Sequence, residues 1–343
     1  MNARILITCV GGIMLPDLLI HLRADTVLTP YIVGVDTLPT ASGRLYVDKF
    51  YQVPNGEDDA YINTILRIIK KEKIQLILPG SDQEALTLAK YRAEISSVGT
   101  IVLTSPISVL KLLCNKCDTY QELKSAGVRV PQYIQVTDYD DLVKKLPEFG
   151  YPQKGIVIKP VMGRGGRAVR LLLGQELSRD ELHPGQREEV VVVLPTVEKV
   201  AAWFVDGPLM LMPLFLPPVY DVDIFAKDGE IEMSLIRKRT NPGGIPFVGN
   251  VIVTDNHITQ YCQEIVKNLC LDGLHDIDLI TDFSGNPVLL EVNPRPSGSV
   301  VAAHAAGFPI VSAAIVNTLG GMYPLRQVTQ EVEITLISRA VSI

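Results

Sequence analysis

The chain has 343 residues, 47% of them hydrophobic and 20% charged, which supports two or three cores and excludes a disordered chain. A formal net charge of −6 without a lysine-rich run argues against a nucleic-acid partner, which requires a concentrated positive surface. Five cysteines (Cys9, Cys114, Cys117, Cys262, Cys270) follow no disulfide framework, and Cys114-x-x-Cys117 lacks a second pair, so it reads as two cysteines on one helix in a reducing cytoplasm.

Arg4–Val10 is an apolar run ended by Gly11-Gly12 and followed by the helical pattern MLPDLLIHLR. Strand, glycine turn and helix fit it better than a signal peptide, which needs a small-residue cleavage site. Tyr31–Asp36 is a second strand ending in an acid, and a helix through Tyr61–Lys73 leads into the strand IQLILPG. Another helix follows Ser81, and Thr100–Thr104 is a further strand. This alternation predicts a parallel sheet with covering helices, whose ligand loops are Gly11-Gly12 and Pro79-Gly80-Ser81-Asp82. CVGGIMLPD lacks G-x-G-x-x-G spacing, which argues against a dinucleotide dehydrogenase.

Beyond Pro106 a helix is expected over Lys111–Ala126, stopped by Gly127. Strands at Gly155–Pro160 and Arg167–Leu173 flank the turn VMGRGG. From Pro208 onward the pattern is antiparallel sheet, with a hairpin turn at Asp228-Gly229. A helix from about Asn256 to Leu271 precedes a final hairpin. Val300–Met322 carries no charged side chain, but His304, Gly307, Pro309 and Asn317 interrupt it, so two buried helices are expected rather than a membrane span.

The chemistry concentrates in LLEVNPRPSGS, Leu289–Ser299. On a strand, Glu291, Asn293 and Arg295 share one face, and burying them without a ligand is costly. A two-residue turn at Ser284-Gly285 would set Asp278 opposite Glu291, with Cβ atoms roughly 5 Å apart. A divalent cation removes that repulsion, and Mg²⁺ favours one or two carboxylates together with phosphate oxygens. Lys159, on an otherwise apolar strand, needs an anion. The turn of Gly163, Arg164, Gly165 and Gly166 lets backbone N–H groups close over a phosphate, with Arg164 and Arg167 beside it. Arg237 and Arg239 alternate onto one strand face, and Lys238 faces solvent.

Three stretches, LLEVNPRPSGSVVAAHAAGFPI, CNKCDTYQELKSAGVRVP and GIVIKPVMGRGGRAV, resemble the ATP-grasp enzymes, most of all the carbamoyl-phosphate synthase large-chain type. The resemblance implies an α/β and α+β chain. A Rossmann-like domain (1–108) would precede a central part with a glycine-rich flap (109–207) and a C-terminal part with the metal site (208–343), the last two clasping ATP. It implies that Lys116 and Lys159 contact ATP phosphates under a flap around Gly163, Gly165 and Gly166. Asp278, Glu291 and Asn293 would hold Mg²⁺ or Mn²⁺, Arg295 would steady the transferred phosphoryl, and Met212-Pro213-Leu214-Phe215 would hold adenine. The family's hinge acids are replaced by Pro213 and Val219, with Asp221 or Asp223 as substitutes.

The implied activity is ATP-dependent carboxylate–amine ligation through an acyl phosphate. Its substrates are small molecules, including amino acids, and Arg237 or Arg239 reaches a phosphate or substrate carboxylate. Gly11, Gly12, Asp82 and Ser297–Ser299 are further candidates for the substrate pocket. Homodimerisation is common among relatives, and neither nucleic acid nor membrane is an expected partner. The alternatives are carbamoyl-phosphate-type phosphorylation of bicarbonate or carbamate, and a nucleotide-binding protein without turnover.

Overall fold

The structure, a computed structural model, describes residues 1–163, 167–176, 188–241, 249–326 and 328–335. Strands β1 (Asn2–Ile7), β2 (Thr29–Asp36), β3 (Lys49–Gln52), β4 (Leu76–Leu78) and β5 (Ile101–Val102) form a parallel sheet in the order β3-β2-β1-β4-β5. Helices α1 (Leu15–Arg23), α2 (Asp59–Glu72), α3 (Asp82–Lys90) and α4 (Arg92–Ser97) punctuate it. The chain leaves β1 toward β2 on one side and reaches β4 on the other, so the C-terminal ends of these strands open a crevice. Gly11 and Gly80 sit on that rim. A Cβ on Gly80 would lie 2.3 Å from the Thr8 carbonyl oxygen, so this close approach admits only glycine.

The expected helix over Lys111–Ala126 is instead two helices, α5 (Ile107–Cys114) and α6 (Lys116–Ser125). Asn115 between them is extended, bridges Met162, and caps α6 by accepting from the Cys117 and Asp118 N–H groups. Cys114 and Cys117 therefore lie on different helices. The break also places Lys116 at the first turn of α6, beside Gly163.

A second sheet has the order β6-β10-β7-β8-β9, built from β6 (Ile134–Val136), β7 (Ile156–Pro160), β8 (Arg170–Leu172), β9 (Glu189–Val191) and β10 (Leu209–Pro213), with helices α7 (Tyr139–Lys145) and α8 (Val197–Ala201) between its strands in sequence. Because β10 pairs with both β6 and β7, the expected division at 207/208 would separate a strand from its own sheet.

The third sheet is antiparallel, in the order β15-β14-β11-β12-β13-β16: β11 (Val219–Lys227), β12 (Glu230–Arg239), β13 (Gly249–Val253), β14 (Gly273–Thr281), β15 (Pro287–Asn293) and β16 (Val332–Thr335). Asp228 and Gly229 both have positive φ, the conformation of a two-residue turn that matches strand twist. The apolar segment after Ser299 forms two buried helices, α10 (Val301–Ala305) and α11 (Ile310–Thr318). Among the described residues no helix is long and apolar enough to cross a membrane.

Two cores fix the parts around the crevice. One joins α6 and α9 (Asn256–Asn268) to the third sheet through Tyr120, Leu123, Ile265, Ile277 and Leu289. The other joins the first sheet to α10, α11 and third-sheet residues Phe225, Leu235 and Ile252.

Candidate active site

A cavity of about 810 Å³ runs between the three sheets. Its walls are the rim loops of the first sheet, the apolar face of β7, β8 and β10, and the polar face of the third sheet.

Period-two alternation puts Asp221 and Asp223 (β11), Asp276 and Asp278 (β14), Glu291 and Asn293 (β15), and Arg237 and Arg239 (β12) on one face of four neighbouring strands. The registers place them in rows: Arg237, Asp221, Asp278 and Glu291 stand side by side, as do Asp223, Asp276 and Asn293. The intervening Val222, Ile277 and Val292 point into the core.

Asp278 does face Glu291, but by a different route from the one expected. The hairpin turn has three residues, Phe283-Ser284-Gly285, closed by the Asp282 N–H donating to the Asn286 carbonyl at 2.8 Å. That turn alone would pair Asp278 with Leu290. A bulge between Asp278 and Leu279 on one strand and Leu289 and Glu291 on the other restores the register. The bulged Leu290 turns its carbonyl oxygen toward Tyr120, whose hydroxyl donates to it at 3.1 Å, and toward Lys159 Nζ, also at 3.1 Å.

Oxygens of Asp221, Asp276 and Asp278 lie within 4.8 Å of one another. Burial raises the Asp276 pKa to about 7, with Asp221 repulsion adding to it, and burial with Asp276 raises Asp278 well above the carboxylate range. For Asp221, Arg239 and Arg237 outweigh burial and hold it low. Among the described residues, Asp276 Oδ1 and Asp278 Oδ1 are buried and accept no hydrogen bond, although Arg239 stands 3.3 Å from Asp278 Oδ1. Buried oxygens without hydrogen bonds beside Glu291 and Asn293 suit a divalent cation, which removes both the repulsion and the desolvation cost. Asp276 was not foreseen. Its signal was the Asp-x-Asp of HDIDLI, the same alternation that marked Glu291 and Asn293.

Cations stand around these acids. Lys116 Nζ donates to the Gly163 carbonyl at 2.7 Å and stands 3.8 Å from Glu291. Lys159 is buried, and desolvation together with Lys116 lowers its pKa to about 7. Arg239 binds Asp221 through two nitrogens and lies 3.3 Å from Asp278. Arg295 Nε is 3.0 Å from Asp82 at the far side of the crevice. Arg164, Gly165 and Gly166 of the expected flap lie outside the described residues.

Arg237 is a correction. It is 0% exposed and does not line the cavity. Its guanidinium binds Asp223 bidentately at 2.7 and 2.9 Å and donates to Ser299 Oγ at 2.7 Å and Asn250 Oδ1 at 3.3 Å. Facing Asp221 across the strand pair draws it inward, so it braces the acid-bearing strands and reaches no phosphate or substrate. Asp223 is likewise sealed, which leaves only Asp221 as a cavity-facing substitute for the hinge acids.

The other end of the cavity is apolar. Met212, Pro213, Leu214 and Phe215 line it together with Val157 and Ile280. Phe215 packs against Phe283 of the hairpin turn, with ring centroids 5.2 Å apart.

Residues 206–340 match the family described as "ATP-grasp in the biosynthetic pathway with Ter operon", and residues 15–103 match "PylC-like, N-terminal domain". No curated protein sequence matches significantly. Among solved structures, N5-carboxyaminoimidazole synthetase from Staphylococcus aureus complexed with ADP is similar over 94% of this chain and 79% of its own, at 14% identity and TM-score 0.69. The L-amino acid ligase from Bacillus licheniformis is similar over 93% and 74%, at 16% identity and TM-score 0.64. A biotin carboxylase–β-γ-ATP complex from Campylobacter jejuni is similar over 94% and 72%, at 15% identity and TM-score 0.67. The chain has the ATP-grasp fold, its residues 206–340 matching an ATP-grasp family and its residues 15–103 a PylC-like N-terminal domain.

Proposed function

We propose that the protein is an ATP-dependent carboxylate–amine ligase. The observation that carries the reading is one continuous cavity lined by an apolar pocket, by Lys159, Arg239 and Arg295, and by Asp276 and Asp278, whose buried Oδ1 atoms accept no hydrogen bond among the described residues. The apolar end suits a nucleobase. Lys116, Lys159 and Arg239 sit where its phosphates would extend, and Arg295 where the acceptor would meet the γ-phosphoryl.

In the first step, an oxygen of the substrate carboxylate forms a P–O bond to the γ-phosphorus as the bond to ADP breaks. In the second, the amine nitrogen forms a C–N bond to the activated carbonyl, inorganic phosphate leaves with the carboxylate oxygen, and the amine releases a proton. Such transfer depends chiefly on positioning and charge neutralisation. Lys116, held by the Gly163 carbonyl, supplies positive charge, and Lys159, held by the Leu290 carbonyl, completes its own as the phosphates arrive. Arg239, anchored on Asp221, keeps a nitrogen facing the cavity. Asp278, Glu291 and Asn293, together with Asp276, would hold Mg²⁺ or Mn²⁺, which supplies further neutralisation of phosphate oxygens.

Hydroxylamine tests the reading. Incubated with Mg-ATP, a pool of carboxylic acids and hydroxylamine, the protein should yield an acyl hydroxamate that depends on ATP. ADP formation without hydroxamate from any pool would count against an acyl phosphate. Pro213 and Val219 at the hinge favour a second reading, nucleotide binding without turnover, for which Mg-ATP would bind and remain intact.

A further inference from the structure

Strand β15 lies at the edge of the third sheet, and two buried tyrosines from neighbouring helices meet its bulge. Successive carbonyls of a regular strand point to opposite sides, yet here one hydroxyl reaches two of them. Tyr120 Oη, on α6, stands 2.6 Å from the Leu289 carbonyl oxygen and 3.1 Å from that of Leu290, so its single proton is shared. Tyr261 Oη, on α9, accepts from the Leu289 N–H at 3.1 Å and donates to the Arg129 carbonyl at 2.6 Å. A bulge disrupts the ladder locally, and buried backbone groups without partners are costly, so the two hydroxyls complete what the bulge leaves open.

The two tyrosines differ in what they reach. Tyr261 meets the bulge at Leu289. Tyr120 also meets it at Leu290, and there it touches Lys159 in two ways. It shares the Leu290 carbonyl with Lys159 Nζ, and its ring centroid is 5.7 Å from that nitrogen, within cation–π range. Lys116 stands one turn earlier on α6, so helical spacing puts Lys116 and Tyr120 on the same face. An ammonium has three N–H donors. The Leu290 carbonyl takes one from Lys159 and the ring backs the charge, which leaves the other two for the cavity that Lys159 lines. The side chains of Leu290 and Glu291 line the same cavity, so one bulge sets a wall residue, the carbonyl behind Lys159 and a metal-binding carboxylate together.

We infer that Tyr120 is a positioning residue for the nucleotide phosphates, its hydroxyl fixing the Leu290 carbonyl and, through it, the direction in which Lys159 presents its ammonium. This rests on the nucleotide-binding part of the proposed function and not on turnover. Without the hydroxyl, the flexible end of a lysine is left to orient the carbonyl that should orient it, and the two N–H groups aimed at the cavity lose their fixed direction.

The experiment is calorimetric binding to the full chain of Mg-ADP and of adenosine, which keeps the nucleoside and lacks the phosphates. Tyr120→Phe retains the ring and its edge contact with Tyr133 and removes the hydroxyl. It should weaken Mg-ADP at least fivefold and adenosine less than twofold, a selective loss that general destabilisation would not produce. In a Lys159→Met background the same change should cost less than twofold for Mg-ADP, because its effect passes through the lysine. Tyr261→Phe, which meets the bulge at Leu289 rather than Leu290, should alter neither affinity by more than twofold. Equal weakening of both ligands, unchanged Mg-ADP affinity, an undiminished effect in the Lys159→Met background, an equal effect of Tyr261→Phe, or a parent chain that binds no Mg-ADP would each overturn the inference. Since no turnover is read, Mg-ADP binding without hydroxamate formation would fail the ligase reading and leave this one standing.

Discussion

Lys159 Nζ lies 3.1 Å from the carbonyl oxygen of Leu290, and no carboxylate among the described residues comes within ion-pair distance of it. A lysine buried against a peptide carbonyl is a poor ion, and its pKa falls from 10.5 to about 7. The positive charge that the apolar strand β7 lacks a reason to carry is therefore complete only when an anion arrives.

A proton should accompany that anion. At pH 8 the free protein holds Lys159 largely neutral, and nucleotide phosphates favour its charged form, so ATP binding takes up protons. Calorimetry in buffers of different ionisation enthalpy should show an uptake of a sizeable fraction of one proton, absent in Lys159→Met. Identical binding enthalpies in all buffers would refute the phosphate role of this lysine.

Arg237 should govern stability rather than chemistry. Removing one partner of a buried ion pair leaves the other uncompensated, at about 3–5 kcal/mol. Arg237→Met strands Asp223, which has Arg237 as its bidentate partner, so urea unfolding should shift by about that amount. A variant of wild-type stability with normal nucleotide binding would contradict the bracing role.

The metal assignment is tested at Glu291. Metal ions supply several kcal/mol of charge stabilisation in such sites, and about 1.4 kcal/mol is tenfold in rate. Glu291→Ala should therefore lower turnover by more than a hundredfold, at a melting temperature close to that of the parent. Retained activity would remove Glu291 from the site.

Two buried histidines predict how the fold fails in acid. His275 and His304 are held neutral by desolvation, with pKa values lowered from 6.5 to about 4 and about 3. Below pH 6.5 the unfolded chain binds protons that the folded one refuses. Their contribution is present in full above that pH and is lost as it falls toward 4, by up to about 1.4 kcal/mol per unit for each. His304→Gln keeps an acceptor for the Val311 N–H and should flatten this slope, as read from urea midpoints between pH 7 and 5. A slope equal to that of the parent would exclude His304 as its source.

The parts of this architecture that alternate were legible in the sequence. Period two in LLEVN and VYDVD marks the polar face of the third sheet, and alternating strands and helices mark the parallel one. The facing of Asp278 and Glu291 came out of a two-residue turn, whereas the chain uses a three-residue turn and a compensating bulge. A bulge is invisible to alternation because it changes register without changing composition. Arg237 and Arg239 look alike in sequence and differ in fate, since only the register with Asp221 and Asp223 decides which of them is sealed. The break at Asn115 was hidden because helical periodicity continues across it. Only the bridge to Met162 and the capping of Cys117 and Asp118 explain it.

The most direct test of the ligase claim is phosphate release from Mg-ATP by the full chain, given a pool of amino acids, a pool of other small carboxylic acids, and both. Release that requires a carboxylate and rises further with an amine is the predicted result. Mg-ATP that binds but releases no phosphate with any pool, or with bicarbonate added, would contradict it.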